Sequence, residues 1–189
     1  MRHFSPSDYR TMPWKNGGGA TMELYVSGEP DMDFDWRVSI ATVDRDGPFS
    51  RFPGYDRHIM TISGEGMSLE GGPDGPIDVY PVFVPRRFSG DWTITGRLRG
   101  ESARDFNLIV RRDKFRSELD CVLMTEAQTQ SAGAGWIFYY VVSGAVKLDD
   151  NCVMADEALL MEPGETGLMV ALDGPARLVC CRLNSLRAS

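Results

Sequence analysis

The feature of this sequence that most narrows its fold is the spacing of its apolar runs. They are short, they recur along the whole chain, and Gly, Pro, Asp or Ser interrupts almost every one. Such runs stand at 35–43 (DWRVSIATV), 57–63 (RHIMTIS), 66–70 (GMSLE), 105–112 (DFNLIVRR), 135–144 (GWIFYYVVSG), 145–150 (AVKLDD), 157–164 (EALLMEPG) and 176–183 (ARLVCCRL). Short strands closed by turn residues predict an all-β fold, an antiparallel sandwich or barrel. The longest helix candidate is SPSDYRTM near the start, with Ser5 as its cap and Pro6 at its first helical position.

The chain also echoes itself. Ile62-Ser63-Gly64 opens a turn between two apolar runs, and Val142-Ser143-Gly144 does the same 80 residues later. A duplicated β-unit predicts two sandwich-like domains, taken here as 1–112 and 113–189, with chance likeness of two Ser-Gly turns as the alternative. The second-half rhythm, YYVVSGAVKLDD followed by EALLMEPGETGLMV, resembles the cupin superfamily of small jelly-roll barrels. Metal-binding cupins place histidines and a glutamate around those two points. This chain has only His3 and His58, no H-x-H, and Gly167 or Leu168 where a ligand histidine would follow Pro163-Gly164. Imidazole or thiolate normally supplies most of the affinity for a first-row metal, so a metal-free, cofactor-free cupin is expected.

Charge narrows the partners. Twenty Lys and Arg against 27 Asp and Glu leave a formal charge of −7, the wrong sign for a broad nucleic-acid surface. The local clusters Arg86-Arg87, Arg97 to Arg99 and Arg111-Arg112 read as solvated strand ends. No apolar leader and no run of 18 apolar residues is present, so a cytoplasmic protein with no membrane partner is expected. Cys121, Cys152, Cys180 and Cys181 form no C-x-x-C pair and are expected to remain free thiols within apolar runs.

Four segments carry possible chemistry. In MPWKNGGG, residues 12–19, the lysine precedes the glycines and a strand follows, the reverse of a phosphate loop. Two readings stay open: an anion-holding nest built on the N–H groups of Gly17 to Gly19 beside Lys15 and Asn16, or a flexible lead-in. Alternation in DWRVSI puts Trp36, Val38 and Ile40 on one strand face and Arg37 and Ser39 on the other. That polar face is either wet or the lining of a barrel lumen, where Arg37 would suit a carboxylate. Asp105 and Asn107 likewise share a face, and Asp105 beside Arg37 would form a buried ion pair. Between these, the loop 47–58 offers Phe49 and Phe52 as a pocket roof or as ordinary cover, and ends on His58, the one plausible general base.

Taken together, MPWKNGGG, FDWRVSIATV, DGPFSRFPGYDR and RDFNLIVRR resemble the HutD/Ves family of bacterial proteins. The resemblance implies a bicupin fold, an association with histidine-utilisation operons, and a non-enzymatic role in tuning that pathway by binding an intermediate such as formylglutamate or formiminoglutamate. Ves-type relatives are described instead as stress- or cold-associated. The family's suspected pocket maps onto Trp14, Lys15, Asn16, Gly17, Arg37, Phe49, Asp105 and Asn107. The resemblance carries over no catalytic residues. Two other readings stand beside it: a cofactor-free isomerase or hydrolase acting on a small carboxylate with His58 or Asp105 as base, and an interaction protein forming a homodimer through exposed sheet edges.

Overall fold

The computed structural model describes residues 1–29 and 33–186; the last positions of the expected second domain, 187–189, lie outside the described residues. In chain order the strands are β1 (Arg2–Phe4), β2 (Arg10–Pro13), β3 (Gly19–Glu29), β4 (Asp33–Val43), β5 (Gly47–Pro48), β6 (Tyr55–Gly64), β7 (Met67–Glu70), β8 (Ile77–Val79) and β9 (Arg86–Ser89). They continue as β10 (Thr95–Leu98), β11 (Ala103–Arg111), β12 (Phe115–Met124), β13 (Gln128–Ser131), β14 (Trp136–Leu148), β15 (Asn151–Met154), β16 (Ala158–Met161) and β17 (Thr166–Ser185). Every pairing among them is antiparallel, as the short-run pattern requires.

The helix expected after Ser5 is a single 3-10 turn, Pro6–Asp8. Asp8 closes it early: its carboxylate accepts from the Ser5 backbone N–H at 2.7 Å and the Ser5 hydroxyl at 2.9 Å. Arg10 onward is then taken up by pairing of β2 with β3.

The chain divides into two compact units, Tyr9–Lys114, and Met1–Asp8 together with the residues from Phe115 onward. β1 pairs with β16, which takes the first eight residues into the C-terminal unit.

The unit Tyr9–Lys114 contains a six-stranded sheet in the order β2-β3-β4-β11-β6-β9 and a four-stranded sheet in the order β5-β10-β7-β8. Ala41, Val43, Ile59 and Ala103 of the first sheet share an apolar cluster with Met67, Leu69 and Val79 of the second. The C-terminal unit is built on one seven-stranded sheet with the path β1-β16-β14-β17-β12. Its core includes Ile137, Tyr139, Val141, Leu159, Leu178 and Cys180. All four cysteines are free, but Cys152 is exposed, contrary to the expectation of burial, because β15 is a short outer strand paired only along β14.

The two Ser-Gly steps are corners of the same kind. Gly64, at φ 89°, ends β6, and β7 belongs to the other sheet. Gly144, at φ 77°, lies inside β14, where the register against β17 shifts on both sides of Ser143. A Cβ on Gly64 would stand 3.0 Å from Cα of Ala103, and one on Gly144 would stand 2.9 Å from Cα of Ala176. Both positions need glycine for the positive φ and for close approach of the facing backbone.

The candidate anion cavity

Register in the six-stranded sheet explains the site. Residues directly opposed in antiparallel strands share a face. Ile109 of β11 is flanked by Arg37 of β4 and Arg57 of β6; Asn107 is flanked by Ser39 and Ile59; Asp105 is flanked by Ala41 and Thr61. Arg37 and Arg57 thus stand two strand spacings apart, about 10 Å between backbones, across one apolar residue. Both faces of β4 are covered: Trp36, Val38 and Ile40 are buried, and so is Ser39 on the opposite side. Of the two readings of that polar face, the inward one holds.

These rows form the floor of a cavity of about 470 Å³. Arg37, Ser39, Ala41, Arg57, Asn107 and Ile109 line it from the sheet; Trp14, Lys15 and Asn16 line it from the turn before β3; Phe49, Ser50 and Phe52 line it from the loop before β6. Six of the eight expected site residues therefore meet here: Trp14, Lys15, Asn16, Arg37, Phe49 and Asn107.

Gly17 does not line the cavity, and the anion nest is not formed. The Gly17 N–H is spent on the Trp14 carbonyl at 2.9 Å, and the Gly18 N–H on Asn16 Oδ1 at 3.0 Å. The glycines instead bring the chain back close against β4: a Cβ on Gly19 would fall 2.0 Å from the Thr42 carbonyl oxygen. Trp14 is then fixed by its Nε1–H, which donates to Thr21 Oγ1 at 2.8 Å.

Asp105 does not line the cavity either. It is 0% exposed and lies one row deeper than Asn107, whose Nδ2 donates to its Oδ1. The charged partner at that depth is Arg57 rather than the expected Arg37, because Asn107 hands the contact across to β6. Arg57 Nη2 donates to Asn107 Oδ1 at 3.0 Å, and Nη1 donates to the Ser50 carbonyl at 3.1 Å. Its guanidinium also sits over Phe88, Phe49 and Phe52, at 4.9, 5.3 and 5.5 Å from the ring centroids. Arg37 shares Phe52, at 5.5 Å, and has Phe34 at 5.7 Å. Glu23 is its ion-pair partner, at 3.9 Å.

Burial lowers the pKa of Arg57 to about 10, against the raising effect of Asp105 and with the help of Arg37. Burial also lowers that of Arg37, with Glu23 opposing. Asp105 is pushed up to about 7 by burial, against its bond from Asn107 and the charge of Arg57. Nε of Arg37, Nε of Arg57 and Oδ2 of Asp105 are buried atoms without a hydrogen-bond partner. Two guanidinium groups, both charged at neutral pH, line one cavity wall, an arrangement that suits an anion.

Arg57 is a cavity-lining cation that the sequence does not single out. Its signal was the position before Ile59 and Thr61 in alternation, but the run RHIMTIS is buried on both faces and shows no period. His58 faces away from the cavity, opposite Leu108 and Arg87, and burial lowers its pKa to about 4. Surface arginines of the sequence clusters pair with carboxylates: Arg97 with Glu70 and Asp46, Arg87 with Asp56, Arg112 with Asp56 and Asp91. Among the described residues no three His, Cys, Asp or Glu side chains converge in a way that could hold a metal ion. None of the described helices is long and apolar enough to cross a membrane.

An antiparallel all-β chain with an arginine-floored cavity in one unit has structural neighbours of cupin type: an oxalate decarboxylase from Bacillus subtilis superposes with a TM-score of 0.70 at 10% identity, covering 100% of this chain and 78% of that one. The class is therefore a cupin-like all-β protein. More specifically, the family model HutD matches residues 6–180, and the chain belongs to the HutD family. A Pseudomonas putida protein described as an uncharacterized 21.2 kDa protein in the hutC 3' region is 40% identical over 134 residues, 69% of each chain. Protein Ves of Citrobacter koseri is 33% identical over 162 residues, 84% of this chain and 83% of that one. Two solved structures are matched over 97% of this chain and 98% of their own. A conserved protein of unknown function from Pseudomonas aeruginosa PAO1 gives a TM-score of 0.87 at 30% identity, and HutD from Pseudomonas fluorescens SBW25 gives 0.81 at 29%.

Proposed function

We propose that this protein is a non-catalytic regulator or sensor in histidine utilisation, and that its cavity binds a small carboxylate intermediate such as formylglutamate or formiminoglutamate. The observation that carries the reading is the pair of guanidinium groups, Arg37 and Arg57, lining one cavity together with Lys15. Two carboxylates on a short apolar chain fit two cations separated by Ile109, and Asn16, Ser39 and the second N–H of Asn107 offer groups to read an amide or formyl end. A net acidic protein binds an anion in this way by concentrating cations where the ligand sits.

The membership of the HutD family and the likeness to a protein named for its place beside hutC support the pathway. The same reading takes the chain as a cytoplasmic, metal-free bicupin without nucleic-acid or membrane partners; the matching corners at Gly64 and Gly144 support the duplication. An enzyme with His58 or Asp105 as base is disfavoured, since one faces away from the cavity and the other lies sealed beneath Asn107.

Thermal-shift measurements against formylglutamate, formiminoglutamate and urocanate test the reading. A ligand present at 100 times its Kd should stabilise the fold by about 2.7 kcal/mol; no shift with any of them at millimolar concentration would contradict it.

A further inference from the structure

We propose that binding of an anion on Arg37 and Arg57 is coupled to uptake of one proton by Asp105, so that a carboxyl beneath the cavity and out of reach of the ligand sets the affinity of the site. The inference rests on the reading of the cavity as an anion site.

The geometry points to Asp105 as the group that must give way. In the empty cavity Lys15, Arg37 and Arg57 exceed their carboxylates by one charge: Arg37 faces Glu23 at 3.9 Å, and Arg57 is linked through Asn107 to Asp105. A bound dicarboxylate leaves the wall with more negative than positive charge. Glu23 is part exposed and stays solvated, whereas Asp105 is fully buried with Oδ2 unpartnered. An ionised carboxylate that loses its counter-charge in such surroundings takes up a proton instead.

The neighbours of Asp105 allow this and offer no other route. On β4 its cross-strand partner is Ala41, and on β6 it is Thr61, whose hydroxyl is spent on the Val79 carbonyl at 2.6 Å. Met67, Leu69 and Val79 of the facing sheet are apolar. The charged groups in play are Arg57 on β6, which acts on Asp105 directly, Arg37 on β4, which acts on Arg57, Glu23 on β3, which acts on Arg37, and Lys15 in the turn before β3, which lines the same cavity. The proton comes from solvent and settles on Oδ2, because Oδ1 keeps accepting from Asn107 Nδ2 and Asn107 Oδ1 stays turned toward Arg57. In the free protein Asp105 already titrates at about 7, raised by burial. An anion that draws off the field of Arg57 raises it further, and by linkage the anion binds more weakly as the pH rises.

The test is calorimetric titration of formylglutamate into the whole protein near pH 8 in two cationic buffers of different ionisation enthalpy, triethanolamine and Tris, neither of which competes for an anion site. The ligand's own carboxylates titrate near ~4 and contribute no proton at that pH. Different apparent enthalpies in the two buffers, corresponding to uptake approaching one proton, are expected, with Kd rising by up to about tenfold per pH unit above the free-state titration. Asp105→Asn should bind with equal enthalpy in both buffers and a flat pH profile, while His58→Gln keeps the uptake. Binding to the native protein with the same enthalpy in both buffers overturns the coupling and leaves the anion site standing. Uptake retained in Asp105→Asn overturns its assignment to this residue, and absence of any binding overturns the anion site and the coupling together.

Discussion

Arg57 and Asn107 are joined side chain to side chain, Nη2 donating to Oδ1 at 3.0 Å, with both residues buried. The link turns a long cationic side chain into a fixed part of the wall. The two remaining restraints, the Ser50 carbonyl and the stack of three phenylalanines, hold the guanidinium with its Nε–H unspent. Ordering an arginine costs entropy, and here that cost is met during folding rather than on binding.

Removing Arg57 should therefore harm the fold. Arg57→Ala leaves Asn107 Oδ1 without its donor and three phenylalanine rings without the guanidinium over them, while Asp105, without its counter-charge, takes up a proton. A loss on the order of 1–3 kcal/mol in urea unfolding is expected. A loss below about 1 kcal/mol would place the group in a wetter setting than the structure gives it.

Arg37 should separate binding from stability. It is part exposed, and its ionic partner among the described residues, Glu23, is 3.9 Å away. Arg37→Gln should change unfolding free energy by less than about 1 kcal/mol, yet weaken formylglutamate by about 1.5–3 kcal/mol, roughly 10- to 150-fold in Kd by calorimetry.

Gly96 controls the roof without lining the cavity. A Cβ there would stand 2.5 Å from Cε2 of Phe49, whose backbone is pinned by its N–H to the Ile94 carbonyl at 2.8 Å. Gly96→Ala should therefore displace the Phe49 ring from Arg57, costing about 1–3 kcal/mol from overpacking together with ligand affinity. The double variant Gly96→Ala, Phe49→Leu should recover much of the stability, which a double-mutant cycle measures.

Two buried groups make opposite contributions between about pH 4 and 7. His58, lowered to about 4, binds fewer protons folded than unfolded, so its contribution is present above the unfolded value near ~6.5 and is lost as the pH falls toward 4. Asp105, raised to about 7, binds more protons folded, so its contribution is present below ~3.9 and is lost as the pH rises toward 7. The native protein should show a nearly flat stability in this window. His58→Gln should then lose stability with rising pH and Asp105→Asn should gain it, each by up to about 1.4 kcal/mol per pH unit.

The sequence showed the strands better than their partners. The runs at 35–43, 57–63 and 105–112 are β4, β6 and β11, because apolar periodicity and turn residues are local. Which strand lies beside which is not local: β11 sits between β4 and β6, and that order alone decides that Asp105 answers to Arg57 instead of Arg37. The turn at 14–19 was legible as a site rim, since Lys15 and Asn16 have no other evident use, but not its hydrogen bonding, which consumes the glycine N–H groups. A strand such as β12 carries little signal in the sequence, because mixed charges such as RSELD hide an alternation that only half-buries: in FRSELDCVLM, Leu119 and Met124 are buried and the residues between them are not. The first eight residues joined the C-terminal unit for the same reason, as a three-residue edge strand has no signature of its own.

The most direct measurement is a crystal structure of the protein with formylglutamate at saturating concentration. The ligand is expected in the cavity of the unit Tyr9–Lys114, with its carboxylates about 2.7–2.9 Å from guanidinium nitrogens of Arg37 and Arg57. A ligand bound elsewhere, or a cavity holding only water at saturation, would contradict the assignment of these two arginines to a carboxylate site.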